Sequence, residues 1–309
     1  MPRSIVFVVL SCLALIVADG TAAQSPEAAP PAVSGWDHLG VLVHSHNDYL
    51  IDGGRDRWRT GGATLVQFLR LAGAEAELRL RGEFITPWNS LQAGIDRPPA
   101  AIAGAALLAQ GHLGGAEIKG GLEVLHVSES FFTFQSALHD FFSLRGYDYA
   151  ARGDAVADRN YVALHAEVAR VITLPPNAAL RPFAAFEAGF ENYSRVGVDL
   201  AIGQGGFARL SSRDPVSGLL VPAYRPAEMT EAGAGFVLTV GGDLTRDHGS
   251  NLYEKGGVLP TPQRMRLRLG LARPVAAWTF FAGVVHLSPE FEGQLEPQSI
   301  GMLALARTF

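Results

Sequence analysis

Between Glu75 and Phe84 charge and apolarity take turns along the chain. Glu75, Glu77, Arg79, Arg81 and Glu83 fall on one face of an extended segment, and Ala76, Leu78, Leu80 and Phe84 on the other. The segment Gln263 to Arg273 repeats the arrangement, with Arg264, Arg266 and Arg268 opposed to Met265, Leu267, Leu269 and Leu271. A soluble sandwich also alternates, but it rarely lines one inward face with this much charge. A closed barrel with a polar lumen and lipid outside does.

Runs of this kind predict strands near 36–46, 60–71, 74–86, 100–112, 115–127, 159–173, 180–193, 196–205, 231–245, 262–273, 275–287 and 298–309. Each is near the ten residues that a tilted spanning strand needs, and their number, twelve, is even. The expected fold is therefore all-β: a transmembrane antiparallel β-barrel of about twelve strands. Short connections at Ala72-Gly73, Leu113-Gly114-Gly115, Pro175-Pro176-Asn177 and Arg273-Pro274 follow even-numbered strands. Long ones at 47–59, 87–99, 128–158, 246–261 and 288–297 follow odd-numbered strands, the pattern of short turns inside and long loops outside. One connection, 206 to 230, is long on the short-turn side, which requires either a longer eighth strand or an insertion.

The remaining sequence fits a barrel that is exported. Residues 1–23 read as a signal peptide, with Arg3 ahead of an apolar run from Ile5 to Ala18 and Thr21-Ala22-Ala23 before the cleavage point. Residues 24–34 read as a flexible leader, and 35–309 as the barrel domain. Cys12 lies inside the signal segment, so no disulfide or cysteine metal site is expected beyond it. No later apolar run reaches the 18 or so residues of a membrane helix, although the chain is 48% hydrophobic with 35 glycines. A net charge of −5 leaves no electrostatic footprint for nucleic acid.

Topology gathers the polar loops at one end. His46-Asn47-Asp48, the Asp56 to Thr60 segment, the loop from Thr86-Pro87 to Asp96-Arg97 and the 128–158 loop all map to the outward side. Within the last, Phe131 to Phe142 departs from period two and reads as a short helix, with Phe131, Phe134, Leu138 and Phe142 on one stripe and Gln135 and His139 four apart beside it. The phenylalanines suit packing on the rim or contact with lipid. His139 suits proton transfer near neutral pH. Taken singly, these residues have plain structural readings. Asn47-Asp48 is common turn chemistry, Asp96-Arg97 reads as an ion pair holding a loop down, and Thr60-Gly61-Gly62 reads as a strand start. His44 and His46, alternating with Ser45 near a strand end, read as surface or lumen residues before they read as a ligand pair.

The ordered set is more specific than its parts. Asn47-Asp48, Asp56-Arg57 with Thr60 and Gly62, Thr86-Pro87 with Asp96-Arg97-Pro98, Gln135 with His139, and Glu290-Phe291 with Gln294, Gln298 and Gly301 together resemble the lipid A 3'-O-deacylase (LpxR) family of outer-membrane barrels. The similarity runs from about Trp36 to Phe309. The resemblance implies a calcium-dependent esterase near the outer rim that removes the 3' acyl chains of lipid A. It makes His139 the base that activates water, gives Asp48 and Asn47 the calcium, lets Thr60 complete the polar cluster, and leaves Gln135 a supporting role. The implied partner is lipid A or lipopolysaccharide in the outer leaflet, and the implied form is a membrane-embedded monomer of the bacterial outer membrane. The 87–99 loop has no lysine, the residue that some members use there, which leaves Arg97 or the calcium to meet the oxyanion. Two other readings stand beside this one: a non-enzymatic barrel, either a narrow pore or a structural protein, and a barrel esterase acting on phospholipids.

Overall fold

The computed structural model describes residues 36–48, 51, 57–87, 96–128, 130–132, 156–228, 235–253 and 258–309. The signal peptide 1–23, the leader 24–34, Asp56, Gln135 and His139 lie outside the described residues. So does the helix expected over Phe131 to Phe142, except for Phe131 and Phe132, which are helical.

Six strands run as an antiparallel meander: β1 (Trp36–Asn47), β2 (Trp58–Leu71), β3 (Ala74–Thr86), β4 (Ala100–Leu113), β5 (Ala116–Val127) and β6 (Arg159–Ala169). After a break β6 resumes as the short β7 (Ile172–Leu174), and both pair with β8 (Ala178–Ala188). Next come β9 (Glu191–Ile202) and a separate hairpin of β10 (Leu210–Arg213) and β11 (Leu220–Ala223). The sheet ends with β12 (Val237–Ser250), β13 (Gln263–Val275), β14 (Trp278–Leu287) and β15 (Gln298–Thr308). Because β15 pairs back onto β1, from Gly40 opposite Thr308 to Asn47 opposite Gly301, the twelve spanning strands close and no edge is left. No helix of the described residues is long and apolar enough to cross a membrane.

The alternation read from the sequence is the alternation of environment. On β13, Arg264, Arg266 and Arg268 are 4–8% exposed, whereas Met265, Leu267, Leu269 and Leu271 are 40–50% exposed. On β3, Glu77, Arg79 and Glu83 are buried and Leu78 and Leu80 are exposed. The charges therefore face a filled lumen and the leucines face outward. Inside, cations and carboxylates tie strands to one another: Glu77 with Arg79 and Lys119, Arg81 with Glu83 and Glu123, and Asp243 with Arg195, Arg266 and Arg268.

Three expected boundaries move. The turn between β8 and β9 falls at Gly189-Phe190 instead of near 194–195. Gly189 takes a φ of 128°, and its N–H is held by Asn192 Oδ1 at 2.8 Å. Only glycine adopts that backbone readily, but apolar residues continue across it and hide the break. The turn after β13 is Ala276-Ala277, past Pro274, with Ala276 at φ 52°. β12 begins at Val237, six residues later than expected from a start at 231, and extends to Ser250.

The disobedient 206–230 connection is an insertion, and it folds into the barrel. Ser212 Oγ donates to Glu77 Oε1 (2.7 Å), Lys119 Nζ to Ser211 O (2.9 Å), Arg213 Nε to Glu167 (2.7 Å), and Arg266 Nη1 to Pro215 O (3.0 Å). These partners stand on β3, β5, β6 and β13, so the hairpin crosses the lumen. Its apolar side, Leu210, Leu219, Val221 and Ala223, packs on Leu42, Val66, Phe68, Phe281 and Met302. The hairpin is a plug, with a cavity of about 860 Å³ remaining beside it on the short-turn side.

Candidate active site on the outer wall

The outer face of β1 changes character along its length. Val41 and Val43 give way to Ser45 and Asn47, and the strand register extends the change across its neighbours. Val43 is level with Leu65 and Leu80, all exposed. The next outward row is Ser45, Ala63 and Gly82, and the one beyond is Asn47, Gly61 and Phe84. Toward the rim the aliphatic belt thus gives way to small and polar residues with the aromatic Phe84 among them, and aromatic residues are common where hydrocarbon meets headgroups. Gly61 leaves room for the Asn47 amide: a Cβ at this position would lie 2.9 Å from Asn47 Nδ2.

A bulge brings Thr60 to this cluster. The β2–β3 register slips between Arg59 and Gly61, leaving Thr60 as the extra residue. A bulge re-aims side chains. Arg59 turns inward to Glu83 (2.6 Å), Glu191 (3.1 Å) and Glu290 (3.1 Å), while the Thr60 hydroxyl makes a short hydrogen bond with that of Thr86. Asp48 is fully buried at the strand end. Its N–H donates to Thr60 O (3.2 Å), and its Oδ2 accepts from Arg57 N–H (2.9 Å) and Gln298 Nε2 (3.3 Å). Gln298 also donates to Arg57 O (2.6 Å) and accepts from Arg59 N–H (3.2 Å), so β15 fastens the β1–β2 loop. The backbones of Asn47 and Asp48 therefore lie beside that of Thr60, while the Asp48 carboxylate turns to Arg57 N–H and Gln298.

The loop that carries Gln135 and His139 is anchored to the same outer wall. Ser128 N–H donates to Ala101 O (3.0 Å), and Phe132 lies against Phe84 with ring centroids 6.1 Å apart. The far end returns at Val156, whose N–H donates to Pro99 O (2.9 Å). Gln135 and His139 themselves lie outside the described residues.

Arg97 does not reach the cluster. Its side chain is buried, donates from Nη1 to Glu290 Oε2 (2.7 Å) and lies over the Tyr253 ring, inside the barrel mouth. The ion pair that holds its loop down is thus with Glu290, and a role for Arg97 at an oxyanion on the outer wall is not supported by this geometry. Burial alone would push the Glu290 carboxyl up, but Arg59, Arg97 and Arg264 together hold it well below the usual carboxylate range.

The donors at the rim suit calcium. A buried carboxylate (Asp48), an amide carbonyl (Asn47) and the hydroxyls of Thr60 and Thr86 are hard oxygens, which that ion prefers to nitrogen or sulfur. A different donor set sits on the lumen side of β1, where His44 and His46 face Asp214 from the plug. The His-x-His spacing was visible in the sequence, but Asp214 could be matched to it only once the 206–230 connection was known to fold inward.

A closed antiparallel barrel with an apolar outer belt and a plugged lumen is of the outer-membrane type, and Asp48, Thr60 and Thr86 stand buried at its rim. The fold is similar to that of LpxR from Salmonella typhimurium, with a TM-score of 0.70 at 15% identity, covering 87% of this chain and 100% of that one. Weaker likeness extends to the KdgM porin (TM-score 0.42, 7% identity, 88% of this chain and 99% of that one). It extends also to the translocator domain of the autotransporter NalP from Neisseria meningitidis (0.43, 13%, 97% and 95%). No protein-family model and no curated protein matches the chain.

Proposed function

We propose that this chain is an outer-membrane esterase that hydrolyses ester-linked acyl chains of lipid A, the 3' chains foremost, with calcium. The observation that supports the reading is the backbone pairing that sets Asn47 and Asp48 beside Thr60, itself hydrogen-bonded to Thr86, at the end of the wall where the apolar outer face of β1 stops. An amphiphile held in the bilayer meets such a site without leaving its leaflet. The fold shared with LpxR, a lipid A deacylase, supports the same reading, and the lumen plug argues against a pore.

Ester hydrolysis needs a water deprotonated at the moment of attack and a positive centre near the carbonyl oxygen, each typically worth a few kcal/mol. In this proposal His139, on the loop anchored at Phe132, takes the proton from water, and Gln135 supports it. Asp48 and Asn47 hold the calcium, which when bound supplies the positive charge. Thr60, fixed by Thr86, orients the polar head of the substrate. Neither a serine nor a cysteine nucleophile enters.

The test is mass spectrometry of lipids from outer membranes containing or lacking the protein, and of purified lipid A incubated with the refolded barrel. Acyl loss from lipid A that stops in His139→Ala and Asp48→Asn, and reversibly on chelation, is the expected result. Release that survives both substitutions would remove the residue assignment. Acyl loss confined to phospholipids would move the enzyme to the alternative substrate class.

A further inference from the structure

His44 and His46 occupy alternate positions on β1 and point into the barrel, and Asp214 reaches them from the bend that follows β10 in the plug. We infer that these three residues form a binding site for a divalent transition-metal ion of the zinc class, which fastens the plug to β1. The site is separate from the calcium site proposed on the outer wall, and its test does not depend on that reading.

Three observations carry the inference. The first is proximity. One donor atom from each residue lies within 4.8 Å of the others, with His44 Nδ1 and His46 Nδ1 at 3.9 and 3.8 Å from Asp214 Oδ1. A tetrahedral ion with bonds of about 2.0–2.1 Å needs donors roughly 3.3 Å apart, so small side-chain movements close the set.

The second is burial without partners. The three side chains are 1%, 3% and 1% exposed. Both nitrogens of both imidazoles, and Asp214 Oδ1, have no hydrogen-bond partner among the described residues. Buried polar atoms are nearly always paired. Three of them, one from each residue, come together at one place, where a cation can bind all three.

The third is construction around the ligands. Asp214 Oδ2 accepts from Ser217 N–H (2.6 Å) and Ser217 Oγ (2.7 Å), which turns Oδ1 toward the histidines. Metal-binding carboxylates are commonly oriented in this way. Opposite His46 on β2 stands Gly62, where a Cβ would lie 2.7 Å from His46 Cε1 and 2.8 Å from Nε2. Two imidazoles and one carboxylate favour zinc, cobalt or nickel over calcium or magnesium, which prefer all-oxygen sites. Three protein ligands leave a fourth position for water.

The experiment uses the refolded full barrel in detergent, stripped with chelator, dialysed, and titrated with zinc in excess calcium so that oxygen-donor sites are occupied. The expected result is one zinc per chain by elemental analysis. Cobalt should give visible absorption bands that zinc abolishes. His44→Ala/His46→Ala should lose both signals, while Asp48→Asn keeps them. Ser217→Ala, which retains every ligand, should bind about 10-fold more weakly. Folding of each variant is verified by the heat-dependent gel shift of closed barrels. Equal zinc uptake by the folded double-histidine variant, or none by the parent barrel, overturns the inference; the second result would mean that water fills the cluster.

Discussion

Replacing Glu290 with glutamine removes one negative charge from the point where three guanidinium groups meet. Glu290 accepts from Arg59 Nε (3.1 Å), Arg97 Nη1 (2.7 Å) and Arg264 Nη1 (3.3 Å), and it is almost completely buried. The amide keeps the shape but offers one acceptor oxygen and places N–H donors against donors. Arg59 retains Glu83 and Glu191, and Arg264 retains Asp247, but Arg97 loses its carboxylate. Breaking a buried pair by removing one partner costs about 3–5 kcal/mol, and Arg97 bears most of that here. Denaturant unfolding of the refolded barrel in micelles should register the loss. Glu290→Gln/Arg97→Met should recover some of it, with an interaction term of about 1–3 kcal/mol in the double-mutant cycle. The pH dependence has a definite sign. Because the folded carboxyl titrates below its unfolded value of about 4.3, its contribution is complete above that value and declines as pH falls toward the folded one. The variant should therefore lose stability less steeply on acidification below about pH 4.3 than the parent. A change under about 1 kcal/mol in Glu290→Gln, or no coupling to Arg97, would refute the view that this carboxylate neutralises the rim cations.

Other perturbations separate the parts of the molecule. Thr60→Val leaves the Thr86 hydroxyl without its partner and should cost about 1–3 kcal/mol, together with a fall in acyl release measured on lipid A. Gly62→Ala places a Cβ 2.7 Å from both Gly82 O and His46 Cε1; it should destabilise the barrel by about 1–3 kcal/mol and weaken zinc uptake, both measurable on one refolded sample. Replacing residues 206–224 by a short Gly-Ser turn should create ion conductance in planar bilayers where the parent barrel has none. A variant that stays closed would mean that the plug does not fill the lumen.

The fold was readable because a polar lumen forces charge onto every second residue, and β3 and β13 print that rule directly. Strand ends were less readable. Apolar residues run across Gly189-Phe190, and period two does not register a turn that one glycine can make. The plug was visible only as an anomaly of length, since four-residue strands carry too little pattern to be read. At the rim, resemblance singled out Asn47, Asp48 and Thr60, and the pairing of β1 with β2 sets their backbones side by side. The part of Gln298 in clamping Asp48 depends on the β1–β15 seam, a pairing between opposite ends of the chain that no local signal encodes. Arg97 shows the reverse failure: its loop position pointed outward, but the pull of Glu290 decided its direction.

Arg59 and Thr60 are consecutive residues that face opposite sides of one wall. The guanidinium is gripped by three carboxylates from β3, β9 and the β14–β15 loop, so its backbone has little freedom to shift. The Thr60 hydroxyl on the other side, hydrogen-bonded to that of Thr86, inherits that rigidity through the backbone and needs no charged strut in the bilayer, where one would be costly. A wall that faces lipid can in this way stay smooth and greasy, because the scaffolding that steadies it stands indoors.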